Sequence, residues 1–380
     1  MAKLYYDYRD IFKAPRIALM GKNIFIMMLN LCLGYFLYLV FTYGAFLIDG
    51  YSIPQVWSLH QLFPLGKDVF EGNIALAVWA VGILLLLYFF LRGALGVARA
   101  SFEELRGNYF YSSREAMKFI SRKNGIVFRA ILGVVVFMAF IILLGIIVGL
   151  IGKIPYVGEL IYGFFYDFPF FVVSLFAVLV IFLLSTFILL GPAVTAVKGE
   201  DAMTALFDSF AAVTTQPLRW SLYTAGSLVL AKISVFVLTY FSIRAIQFTN
   251  WSTKLAMGDK QAELFSSAAR EFFIHCPFIT FFTILLPGIS IDANKLLDVG
   301  YASDLNWSMT AGSVFVMISL VFILFFIASY FINILISGQV IGFLDIRNAT
   351  HKEKLAVLPE DEITDEMRPE KETGDDDKPA

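Results

Sequence analysis

The sequence predicts an all-α protein integral to the membrane, and three observations carry that prediction. The chain is 59% hydrophobic and 16% charged, where soluble domains run at about 45–50% apolar and about 25% charged. Six apolar runs, 24–48, 73–97, 126–151, 168–190, 217–243 and 310–337, are each long enough to cross about 30 Å of hydrocarbon as a helix. The ten-residue alternation of an outer-membrane barrel is missing from the sequence. Helix is the expected form of each run, because in lipid every main-chain polar group must be satisfied within its own segment. The aromatic share of 16% fits the same solvent, since aromatic rings suit the hydrocarbon boundary.

Taken in order, the chain opens on YRDIFKAPRIALMGKN (8–23). As a helix this places Tyr8, Ile11, Phe12 and Leu19 on one face and Arg9, Lys13 and Arg16 on another. That is the layout of a helix lying in the headgroup layer, its three cations on lipid phosphate. The first apolar run, from Ile24, is too long for the core of a cleaved signal and reads as an uncleaved anchor. After the second run, SREAMKFISRKNG (113–125) sets Met117 and Ile120 opposite Arg114, Lys118 and Arg122, a second set of headgroup contacts. After the fourth, DAMTALFDSFAAVTT (201–215) carries Met203, Leu206, Phe207 and Phe210 at i, i+3, i+4 and i+7. Its polar face holds Asp201 and Asp208, so packing on protein is expected there rather than on anionic lipid. The chain thus reads as three helical-hairpin units, each led by an amphipathic segment.

Residues 244–309 form the one long external loop. Within it FFIHCPFITFFTILLPGIS (272–290) is apolar but broken by Pro277 and Pro287. An interfacial or re-entrant segment is expected, with a seventh span as the alternative. The division is a membrane domain over 1–347 and an acidic tail over 348–380. With eleven acidic and five basic residues and no aromatic, the tail is expected to be disordered. Lysine and arginine concentrate before the first run and between the second and third. The positive-inside rule then puts both termini in the cytoplasm and the protein in the cytoplasmic (inner) membrane.

The stretch GPAVTAVKGEDAMTALFDS (191–209) reads as the end of span four at Gly191-Pro192, a charged turn, and a helix capped by Asp201. Here the chain, over residues 100–245, resembles prokaryotic polytopic membrane proteins of the kind found as the membrane domain beside glycerophosphodiester phosphodiesterases, and related uncharacterised families. The resemblance implies a six-helix membrane domain working with lipid. No phosphodiesterase domain is present in this sequence, so no enzymatic activity carries over.

No constellation for catalysis stands out. His60, His275 and His351 are scattered, without partners at ligand spacing, and neither a P-loop nor a GxSxG elbow occurs. Catalytic residues, a metal site and a cofactor are therefore not expected, and a net charge of −2 gives no footprint for nucleic acid. The six apolar ranges hold no Asp or Glu, which argues against an ion-coupled pump. They do hold Lys232, near the middle of SLVLAKISVFVLTYF (227–241). A lysine at that depth costs about 2.5–3.5 kcal/mol. Candidate partners within the spans are Asn30, Ser185, Thr186 and Asn333, which with Lys232 make up the candidate intramembrane polar site. Gly145 and Gly149 form a GxxxG through which another helix could approach. The function expected is non-enzymatic: a lipid-handling or membrane-organising protein with membrane lipids as partners. The alternatives are an accessory subunit of a larger membrane complex and, third, a transporter of a small anionic solute.

Overall fold

A computed structural model describes residues 4–64, 70–199, 201–275, 306–353, 355 and 356. Among them there are helices and no strand. A short 3-10 turn, Tyr8–Lys13, leads into α1 (Ala14–Ala18) and α2 (Gly21–Ile48). Then follow α3 (Ile53–His60), α4 (Asn73–Leu105), α5 (Ser113–Gly152), α6 (Val157–Phe165) and α7 (Phe171–Lys198). The chain continues through α8 (Ala202–Thr215), α9 (Pro217–Met257), α10 (Asp259–His275) and α11 (Trp307–His351). Six of these, α2, α4, α5, α7, α9 and α11, are long and apolar enough to cross a membrane, and the protein is a multi-pass membrane protein. The end of the bundle that carries the 3-10 turn is the near end, and the one that carries α3 and α10 is the far end.

The helices outrun the apolar runs that nucleate them. The forty residues of α5 span about 60 Å, so its basic first turns and its apolar span are one rod. The capping box of Ser112 and Glu115 starts it. Gly191-Pro192 does not end α7: the helix continues through Pro192 to Lys198 and stops at Gly199, whose φ of +66° makes the left-handed cap. Asp201 takes the N-cap position of α8 with extended backbone, but its side chain makes no capping bond. At the end of the chain, α11 runs on to His351, and Ala356 packs in the same buried cluster as Ile11. The first residues of the acidic tail are therefore ordered against the near end; residues 357–380 lie outside the described residues.

Two tight seams organise the bundle. The antiparallel pair α2–α4 closes on Gly34, where a methyl group would lie 2.9 Å from Phe89 Cβ. The antiparallel pair α9–α11 closes on Gly338 and Gly342, where it would lie 1.8 Å from Ser227 Oγ and 3.0 Å from Tyr223 Cβ. Sequence reading pointed instead to Gly145 and Gly149, and among the described residues no atom beyond the local helix backbone lies within 4 Å of a methyl group built at either. Helix α11 is the hub, packed on α1, α2, α4, α7, α8, α9 and α10. In its most apolar stretch 39% of residues are buried, against 6% in α5, which stands at the edge with its flanks open.

The two amphipathic stripes outside α5 are divided between the protein interior and the surface. In the N-terminal segment Ile11, Ala14, Ile17 and Ala18 are buried, while Tyr8, Phe12 and Leu19 are exposed. In α8 the buried face is Ala205, Leu206, Ser209, Ala212 and Val213, while Met203 and Phe207 are exposed. The reason is the solvent: lipid accepts a large apolar side chain as readily as a protein core does, so small residues take the contact and bring the backbones close.

Candidate functional site

A groove of about 660 Å3 runs between the far halves of α9 and α11, with α10 as its third side and Met28 of α2 at its floor. Its α11 wall is mostly apolar, built on Val316, Leu320, Ile323 and Phe326, with Ser319 donating its proton to the Phe315 carbonyl at 3.0 Å. The α9 wall carries Ser242, Thr249, Asn250 and Thr253, which are spaced at i, i+7, i+8 and i+11 and so share one helical face. Helix α10 reaches this wall because Gly258, with φ of +62°, ends α9 and turns the chain back. Gln261 on α10 is 9% exposed and donates from Nε2 to Asn250 Oδ1 at 3.0 Å, joining the two helices. No charged side chain is among the described residues that line the groove.

The hydroxyls of the α9 wall have already used their protons. Ser242 donates to the Leu238 carbonyl at 2.9 Å, Thr249 to Ala245 at 3.0 Å and Thr253 to Thr249 at 2.7 Å. What they present to the groove is lone pairs. At the polar end the Asn250 amide N–H groups and Gln261 Oε1 remain without a hydrogen-bond partner among the described residues. The groove opens sideways between the exposed Met257 and Phe322. Phe248 and Trp251, level with Asn250 on α9, are exposed with ring centroids 5.9 Å apart, the placing of an aromatic belt at a membrane interface.

The intramembrane residues singled out by sequence are not in this groove. Lys232 is 5% exposed and sits on α9 nearly three turns inward of Ser242. Asn30 donates to the Ile26 carbonyl at 2.7 Å, Ser185 to Phe182 at 2.8 Å, Thr186 to Leu183 at 2.9 Å and Asn333 to Ala18 at 3.4 Å. Each of these four donors thus goes to a main-chain carbonyl. Asn333 and Asn23 hold successive carbonyls, Ala18 and Ile17, so they pin the turn between α1 and α2. Of the residues read as headgroup contacts, Arg9, Arg16, Arg114, Lys118 and Arg122 are exposed at the near end. Lys13 is not: its ammonium lies 2.6 Å from the buried Asp10.

Sequence reading missed an ionic layer at the near end. It lies on the helical extensions beyond the apolar ranges, which is why those ranges held no carboxylate. Lys22 meets Glu104 at 2.9 Å, Lys198 meets Asp208 at 2.6 Å, and Arg347 meets Glu353 at 3.0 Å. Arg99 pairs with Glu103 and donates to the Ala196 carbonyl. Beside it, burial pushes the Tyr111 phenol up to about 12, so it stays neutral at physiological pH. With Arg347 also 3.8 Å from Asp208, these pairs tie α2, α4, α7, α8 and α11 together. Among the described residues no cluster of three His, Cys, Asp or Glu could hold a metal ion. Comparison of the chain with protein-family models, with curated proteins and with solved structures finds no match in any of the three.

Proposed function

We propose that this protein is a non-enzymatic lipid-handling protein of the cytoplasmic (inner) membrane that takes a lipid tail into the α9–α10–α11 groove. The observation that carries this is a largely apolar groove on two helices long and apolar enough to cross a membrane, opening between the exposed Met257 and Phe322. Its volume of about 660 Å3 falls in the range of about 300–1,000 Å3 usual for ligand sites. On this reading the near end is cytoplasmic, with Arg9, Arg16, Arg114, Lys118 and Arg122 exposed towards anionic headgroups. The test is purification in mild detergent with mass spectrometry of what stays bound. Wild type should retain stoichiometric lipid. Ile323→Trp, which fills the groove, should lose most of it, and Lys232→Leu, outside the groove, should retain it. Equal lipid content in wild type and Ile323→Trp would sink the reading.

A second reading is favoured by one observation, the open flanks of α5. An accessory subunit of a larger complex would bury that surface. A fixed protein partner in the same mass spectrum, at one-to-one stoichiometry and lost on introducing charge at Val136 or Leu143, would decide for it.

A further inference from the structure

We infer that the lipid taken by this groove carries a neutral head with a free hydroxyl, of the diacylglycerol type, rather than a phosphate or carboxylate. The inference rests on the proposed reading that the groove takes lipid at all, and it deepens that reading by naming the ligand class. Its ground is the hydrogen-bonding balance at the polar end. Ser242, Thr249 and Thr253 offer only lone pairs, because their protons go to carbonyls of their own helix. Gln261 offers Oε1, and Gln261 is buried at 9% exposure. Against these acceptors the described lining has one free donor group, the Asn250 amide.

A phosphate or carboxylate accepts and does not donate. Seated here it would face oxygen with oxygen, with no cation among the described lining residues to compensate. A hydroxyl both donates and accepts. It can give its proton to Gln261 Oε1 or to a threonine lone pair and take a hydrogen bond from Asn250. The depth agrees: Phe248 and Trp251 set the interface beside Asn250, so a head at Asn250 and Gln261 lies where hydrocarbon gives way to headgroups. The tail then runs inward along Ile323 and Phe326 to Met28. The cations that flank the lining on α9 and α10, Arg244, Lys254 and Lys260, are exposed and outside it, and Arg244 donates to Tyr240 Oη and Gln247 Oε1.

The experiment uses the full chain in nanodiscs with two photoactivatable lipids of equal chain length, diacylglycerol and phosphatidylglycerol. Each is crosslinked alone and then in competition, and the labelled peptides are identified. Wild type is expected to favour diacylglycerol by about tenfold, the scale of one to two net hydrogen bonds, with label on α9 and α11. Gln261→Leu is expected to abolish the preference while keeping tail labelling, and Ile323→Trp to abolish labelling by both lipids. Equal labelling of wild type by both lipids would overturn the inference and leave the groove reading standing; this arm needs no variant to fold. Preference for phosphatidylglycerol, lost on Lys254→Ala or Lys260→Ala, would overturn it in favour of an anionic head. No lipid label, with groove probes crosslinking to residues 276–305 of the same chain, would overturn both.

Discussion

Lys22 and Glu104 show what single residues do at the near end. Their side chains are 15% and 11% exposed and meet at 2.9 Å. Removing one partner strands a buried charge, a loss of about 3–5 kcal/mol, whereas replacing both with apolar groups is often neutral. Lys22→Met should therefore lower the melting temperature in detergent sharply, and Lys22→Met with Glu104→Leu should restore most of it. An additive double variant would mean that the pair is not coupled. The same logic separates Lys13, held by Asp10, from the exposed Arg9: Arg9→Ala should leave thermal stability within about 0.5 kcal/mol of wild type, as surface substitutions usually do.

At the scale of the element, the same sequence motif has two outcomes. GQVIG (338–342) closes on Ser227 and Tyr223 of α9, and GIIVG (145–149) meets nothing described. Gly338→Val should force α9 and α11 apart and cost about 1–3 kcal/mol or more by overpacking. Gly145→Val, on an open flank, should leave the melting temperature nearly unchanged. The pair of melting curves checks both; a loss on Gly145→Val equal to that on Gly338→Val would show that α5 has a partner in the assembled protein. The divided stripes of the N-terminal segment and α8 belong to this scale too. Helical periodicity in this sequence locates helices, but in lipid it does not say which face turns inward, since Phe12 and Phe207 are as comfortable outside as Leu206 is within.

For the whole molecule the question is how the chain threads. With six spans, residues at the near end all lie on one side of the membrane. Arg9→Cys and Glu353→Cys should react with a membrane-impermeant maleimide from the same side, and Lys254→Cys, beyond the belt of Phe248 and Trp251, from the other. Sealed vesicles of known orientation give the readout. Arg9 and Glu353 on opposite sides would mean an odd number of crossings and a span among residues 276–305.

The sequence by itself determined the solvent, the helical class and the six helices that, among the described residues, are long and apolar enough to cross, because these follow from local quantities: apolar length against bilayer thickness, and the need to satisfy the main chain within each segment. It also located Lys232 and the exposed cations of 113–125. Part of the groove's polar stripe was legible as well, in Ser242, Thr249, Asn250 and Thr253 at helical spacing, had α9 been read past residue 243. What only the tertiary structure decided is which surfaces meet. Gly258 turns α10 back so that Gln261 reaches Asn250, eleven residues earlier. The ion pairs of α4 and α11 form because those helices run beyond their apolar runs and converge near α2 and α8. Both depend on contacts far apart in the chain, and in a membrane, where lipid and protein interior are equally apolar, hydropathy alone cannot rank one packing surface above another.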